Sequence, residues 1–168
     1  MLRLASIALA ALVAACAGVV LATSLDLPAL VATHFADGGR PDRWTSREVY
    51  TTSITLLVLL LPTGTAAAIA WLPLRWPRLV KPCFRDYWLA PARREATAGV
   101  LAVAALAVGA LTAAMLGFVH VAVVEANRRT PPLADAATIA IPLAFGAAIV
   151  AIALTLAFRF RVPKAGRR

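Results

Sequence analysis

Residues 96–124 read ATAGVLAVAALAVGALTAAMLGFVHVAVV, 29 residues without one Asp, Glu, Lys or Arg. A helix rises about 1.5 Å per residue and a bilayer's hydrocarbon core is about 30 Å thick, so about 20 apolar residues span it. This run is long enough. So are Leu4–Leu25, Val49–Leu74 and Ala136–Phe158, charge-free runs of 22, 26 and 23 residues. Four such runs leave little chain for a water-soluble core. The composition agrees: the 168 residues are 61% apolar and 15% charged, with a mean hydropathy of +0.81. A soluble domain is about 45–50% apolar and about 25% charged. A cytosolic enzyme is excluded. The expected fold is all-α, a bundle of four transmembrane helices at about 4–25, 49–74, 96–124 and 136–158, forming one membrane domain over residues 1–168.

The first run resembles a targeting segment, with Arg3 ahead of it and a lipoprotein-like box at Val13-Ala14-Ala15-Cys16. The chain stays apolar from Ala17 to Ala22, where a mature lipoprotein turns polar, so an uncleaved helix is expected. Orientation follows from Lys and Arg in the short connections. The first connection has Arg40, Arg43 and Arg47, and the third has Arg128 and Arg129. The second has six, from Arg75 to Arg94, the C-terminal tail five, and Arg3 adds one. Twelve against five places both termini and the second connection in the cytoplasm of a bacterial inner membrane. The net charge of +9 is then a topology signal, and no nucleic-acid partner is expected. Cys16 and Cys83 lie at different levels and are expected to form no disulfide and to hold no metal.

The first connection is the most distinctive. Pro28 is expected to end the first helix, and Val31, Thr33 and Phe35 alternate with small or polar residues as in a short extended segment. Asp37-Gly38-Gly39 reads as a turn, and Thr45 with Glu48 as a capping box opening the second helix. A structured extracytoplasmic loop is expected. The stretch LPALVATHFADGGRPDRWTSR, through Leu27, Pro28, His34, Phe35, Gly39, Pro41, Asp42 and Trp44, resembles the bacterial membrane domain called domain of unknown function 1648. That domain opens the SdpI-like immunity proteins, and RDYWLAPARRE, Arg85 to Glu95, is similar to a segment of its standalone members. The resemblance implies a helical membrane protein associated with toxin-peptide immunity or signalling.

His34, Asp37, Asp42, His120 and Glu125 all fall on the expected outer side and are the candidate ligand-binding residues. A cluster of His and carboxylate could bind a metal or a proton; without a tight His spacing, no metal is expected. In the structural alternative His120 is an interfacial anchor that tolerates substitution, and His34 stabilises the loop. In the second connection Tyr87, Trp88, Arg93 and Arg94 form an aromatic–basic segment suited to anionic headgroups or a partner protein. Pro62 in the second helix frees a carbonyl that Thr63 or Thr65 can help satisfy. Small residues recur every fourth position at Ala10–Ala22, Ala105–Gly117 and Ala136–Ala148, ridges suited to an internal bundle or a homo-oligomer.

No catalytic motif and no cofactor-binding pattern occurs, and no Asp, Glu, Lys or Arg lies inside a span. The expected function is non-catalytic: a sensing, immunity or accessory role through the first extracytoplasmic loop. Competing readings are a small transporter or channel component and a membrane enzyme with an outer-face site. The bilayer, a membrane-protein partner or a second copy are the expected partners.

Overall fold

A computed structural model describes residues 2–36, 40–80, 82–128 and 136–161. Four helices are long and apolar enough to cross a membrane: α1 (Leu2–Ser24), α2 (Arg47–Arg75), α4 (Pro91–Arg128) and α5 (Ala136–Arg159). Between α1 and α2 a two-stranded antiparallel hairpin forms, β1 (Leu30–Ala36) and β2 (Arg40–Ser46). The fold is therefore mostly helical rather than all-α. A 3₁₀ turn (Pro77–Leu79) and the short helix α3 (Pro82–Trp88) link α2 to α4. Pro77 and Pro91 stand at element starts, where the missing amide costs nothing.

Three helices make the core. Gly109 of α4 permits the closest approach: a Cβ there would stand 3.0 Å from Leu9 Cδ2, 3.1 Å from the Pro62 carbonyl oxygen and 3.2 Å from Ala66 Cβ. Two turns along the same ridge, a Cβ on Gly117 would lie 3.3 Å from Cys16 Sγ. Lipid tails are as apolar as Leu, so such close van der Waals contact, rather than water exclusion, holds the helices together. The ridge from Ala105 to Gly117 is thus used inside the bundle. Ala10, Ala14 and Gly18 of the first ridge face outward; α1 instead buries Leu9, Val13, Ala17, Val20 and Ser24. The fourth helix stands apart. Its span packs on α4, Arg159 and Phe160 at its end reach Trp88 of α3, and none of its span is buried.

Several local expectations shift by a turn or less. The helix α1 ends at Ser24, four residues before Pro28. Thr45 is still paired with Val31 in the hairpin, so the cap of α2 moves to Ser46, whose hydroxyl accepts from the Val49 amide at 3.3 Å. Glu48 remains in the first turn, where the helix dipole favours it. At Pro62 the threonine hydroxyls donate to neighbouring carbonyls: Thr63 to Leu59 at 2.6 Å and Thr65 to Leu61 at 2.7 Å. Neither reaches the Val58 carbonyl that Pro62 leaves without its helical donor. The Asp37-Gly38-Gly39 turn, Arg129, and the tail beyond Arg161 lie outside the described residues, as does the Cys83 side chain.

Candidate functional site

The last turns of α4 extend past the apolar run and carry the hairpin. Thirty-eight residues give α4 a length of about 57 Å, well beyond a bilayer's apolar core. Asn127 accepts from the Ala32 amide at 2.9 Å and donates to the Ala32 carbonyl at 2.9 Å, and also donates to the Val123 carbonyl. It thereby serves the outer edge of β1 as a neighbouring strand would. Arg47 donates to the carbonyls of Leu25 and Leu27 at 3.3 and 3.1 Å, tying the approach segment to the start of α2. Arg128 pairs with Asp26 at 2.8 Å, an exposed bridge worth little alone. Leu27 and Val31 are buried with Val20, Tyr50, Ile54 and Val124 in one cluster. The hairpin is an extension of the bundle core.

Its outward side is laid out by two compensating bulges. Pairing skips from Ala32–Trp44 to His34–Arg43 and then to Phe35–Pro41, leaving Thr33 and Asp42 each as the extra residue. The offset brings His34 Nδ1 to 2.6 Å from Asp42 Oδ1 on the exposed surface. Leu30 and Trp44 are exposed apolar neighbours on paired strands, and Arg40 and Arg43 are exposed too. Asp37 falls outside the described residues.

His120 does not join this surface. It has no exposed area, and its ring sits between three helices: Nε2 lies 2.7 Å from Thr23 Oγ1 of α1, and Nδ1 3.0 Å from the Tyr50 hydroxyl of α2. The Thr23 hydroxyl is also 2.7 Å from the Val19 carbonyl. A hydroxyl has one proton, so if Thr23 donates it to Val19 it accepts from Nε2–H, and Tyr50 then donates to Nδ1. That tautomer satisfies every polar group in the cluster with a neutral imidazole. The interfacial-anchor expectation fails because the α4 ridge turns His120 toward α1 and α2 rather than toward the headgroups. The two histidines thus have separate partners, one set exposed and one buried. Glu125 is half-buried one turn beyond His120. Among the described residues no three His, Cys, Asp or Glu side chains gather closely enough to hold a metal ion.

Thr23, Tyr50, Arg47 and Asn127 were not among the expected site residues. Asn127 had a signal: it is the chain's only carboxamide side chain, spaced i, i+4, i+7 with His120 and Val124 on one helical face. The partners Thr23 and Tyr50 lie 97 and 70 residues from His120 in sequence, and no local pattern links them.

At the opposite end of α4 the aromatic–basic segment is ordered. The Trp88 indole donates to the Phe160 carbonyl at 2.9 Å, and the Thr97 hydroxyl to the Trp88 carbonyl at 2.8 Å, joining α3 to α4 and to the end of α5. Arg93 stacks 4.0 Å from the centre of the Tyr87 ring, and Arg94 donates to the Leu74 carbonyl at 2.8 Å.

Together the four apolar helices define a multi-pass membrane protein, with a hairpin in its first connection and a short helix in its second. No family model matches the chain, nor does any curated protein or solved structure.

Proposed function

We propose that this chain is a non-catalytic protein of a bacterial inner membrane, with both termini in the cytoplasm, that presents its hairpin on the extracytoplasmic face as a fixed recognition element. The observation carrying this reading is the Asn127 clamp: a side chain of the longest helix occupies the free edge of β1, so the hairpin has one position on the bundle. A passive linker needs no such clamp. Among the described residues β2 pairs with β1 alone, and Leu30, Trp44, Arg40 and Arg43 offer apolar and cationic contacts, a combination suited to an extended peptide ligand. The twelve-to-five Lys/Arg imbalance supports the orientation. The resemblance of the 27–47 stretch to the SdpI-like membrane domain is consistent with an immunity or sensing role against such a peptide.

The test replaces residues 30–46 with a Gly/Ser linker of equal length in a deletion strain of the source bacterium. Loss of complementation with normal membrane insertion is expected. Full complementation by the linker variant would refute the reading.

A further inference from the structure

We propose that the groove between α4 and α5 binds one anionic phospholipid, with an acyl chain along the helices and the phosphate held by Arg93 and Arg159. This rests on the other end of the molecule and does not depend on the role of the hairpin. The groove encloses about 600 Å³ and lies in the half of the bundle nearest α3. Val100 and Val103 of α4 line one wall and Ile152 and Leu156 of α5 the other, while Gly99 leaves the floor open. The α4 wall, Ala96 to Ala107, rises about 16 Å, close to the roughly 15 Å depth of one leaflet's hydrocarbon. That length fits one acyl chain. A partner's spanning helix would run through both leaflets and overrun it.

The mouth of the groove selects the headgroup. Arg93 stands one helical turn before Ala96 and Arg159 one turn beyond Leu156, so each continues a groove wall. Their guanidinium groups lie over adjacent rings, Arg93 4.0 Å from the centre of Tyr87 and Arg159 5.4 Å from the centre of Trp88. Those rings meet edge-on with centres 5.0 Å apart. Among the described residues neither arginine has a carboxylate partner; Asp86 pairs with Arg85 instead. Stacking holds each guanidinium by its face and leaves its N–H edge to acceptor oxygens, the geometry in which arginine takes phosphate. Farther along the same helices a smaller hollow of about 240 Å³ is lined by Leu111, Met115 and Phe145 among others, with no basic residue. Headgroup charge is therefore read at one end only.

The experiment is native mass spectrometry of the full chain released from detergent with phosphatidylglycerol or phosphatidylcholine added at equal concentration. The wild type is expected to retain one phosphatidylglycerol in preference to phosphatidylcholine. With each basic residue near the surface contributing about 1 kcal/mol, the R93Q/R159Q double variant should weaken phosphatidylglycerol retention about 30-fold and phosphatidylcholine, whose ammonium offsets its phosphate charge, less, so that the preference narrows. Gly99→Leu, whose Cβ meets nothing within 4 Å, fills the groove without a clash and should reduce retention of both lipids. Equal retention of the two lipids by the wild type, or undiminished preference in R93Q/R159Q, would overturn the proposal. So would a lipid-free dimer in which the groove is covered by a second copy.

Discussion

His120→Phe isolates the polar cluster at the centre of the bundle. The replacement keeps a planar ring of comparable bulk at a fully buried site and removes both ring nitrogens. Thr23 retains the Val19 carbonyl, so the group left without a partner is the Tyr50 hydroxyl, on a residue 9% exposed. Interhelical hydrogen bonds in membranes contribute about 0.6 kcal/mol on average and up to about 1.7. Two lost bonds and one orphaned hydroxyl give an expected destabilisation of about 1–3 kcal/mol. His120→Ala adds the cost of a void and should fall nearer the 2–5 kcal/mol range of large-to-small core changes. Unfolding by sodium dodecyl sulfate titration of the detergent-solubilised protein, followed by circular dichroism, measures both. A cycle with Tyr50→Phe carries the decisive information. If the two residues are bonded, the double variant should lose less than the sum of the single losses, by at least about 0.6 kcal/mol. Additivity to within about 0.3–0.5 kcal/mol, with His120→Phe itself silent, would refute the hydrogen-bonded cluster.

Three further outcomes follow from the same geometry. Gly109→Val should lower the unfolding midpoint by the equivalent of about 1–3 kcal/mol, because the added carbons meet the rigid Pro62 carbonyl at 3.1 Å; an unchanged midpoint would mean that α2 and α4 are not in close contact there. Asn127→Ala should release β1 and speed protease cleavage in the hairpin while leaving helix content constant, and resistance equal to the wild type would show that the clamp is dispensable. Asp42→Ala, breaking an exposed pair with His34, should shift stability by less than about 1 kcal/mol, so a larger loss on thermal unfolding would assign the pair a structural duty the exposed geometry does not suggest.

The four spans were legible because each depends on a local property: a charge-free run long enough to cross about 30 Å of hydrocarbon. Their ends were less so. At Thr45 and Ser46 the capping choice turned on strand pairing with Val31, a contact between residues far enough apart that the local motif misled. At α4 the helix outran its apolar run at both ends, since Pro91 can start a helix and polar residues can continue one outside lipid.

Composition and run length determine that this chain is a multi-span, mostly helical membrane protein, because those features act residue by residue. Only the tertiary structure decided which ridge packs inward, that His120 is buried between Thr23 and Tyr50, and that Asn127 completes the edge of β1. Each of those is a question of which helical face meets which neighbour. In a chain apolar on nearly every face, hydrophobicity cannot choose among faces; the choice falls to close approach at Gly109 and to a few hydrogen bonds between residues far apart in sequence.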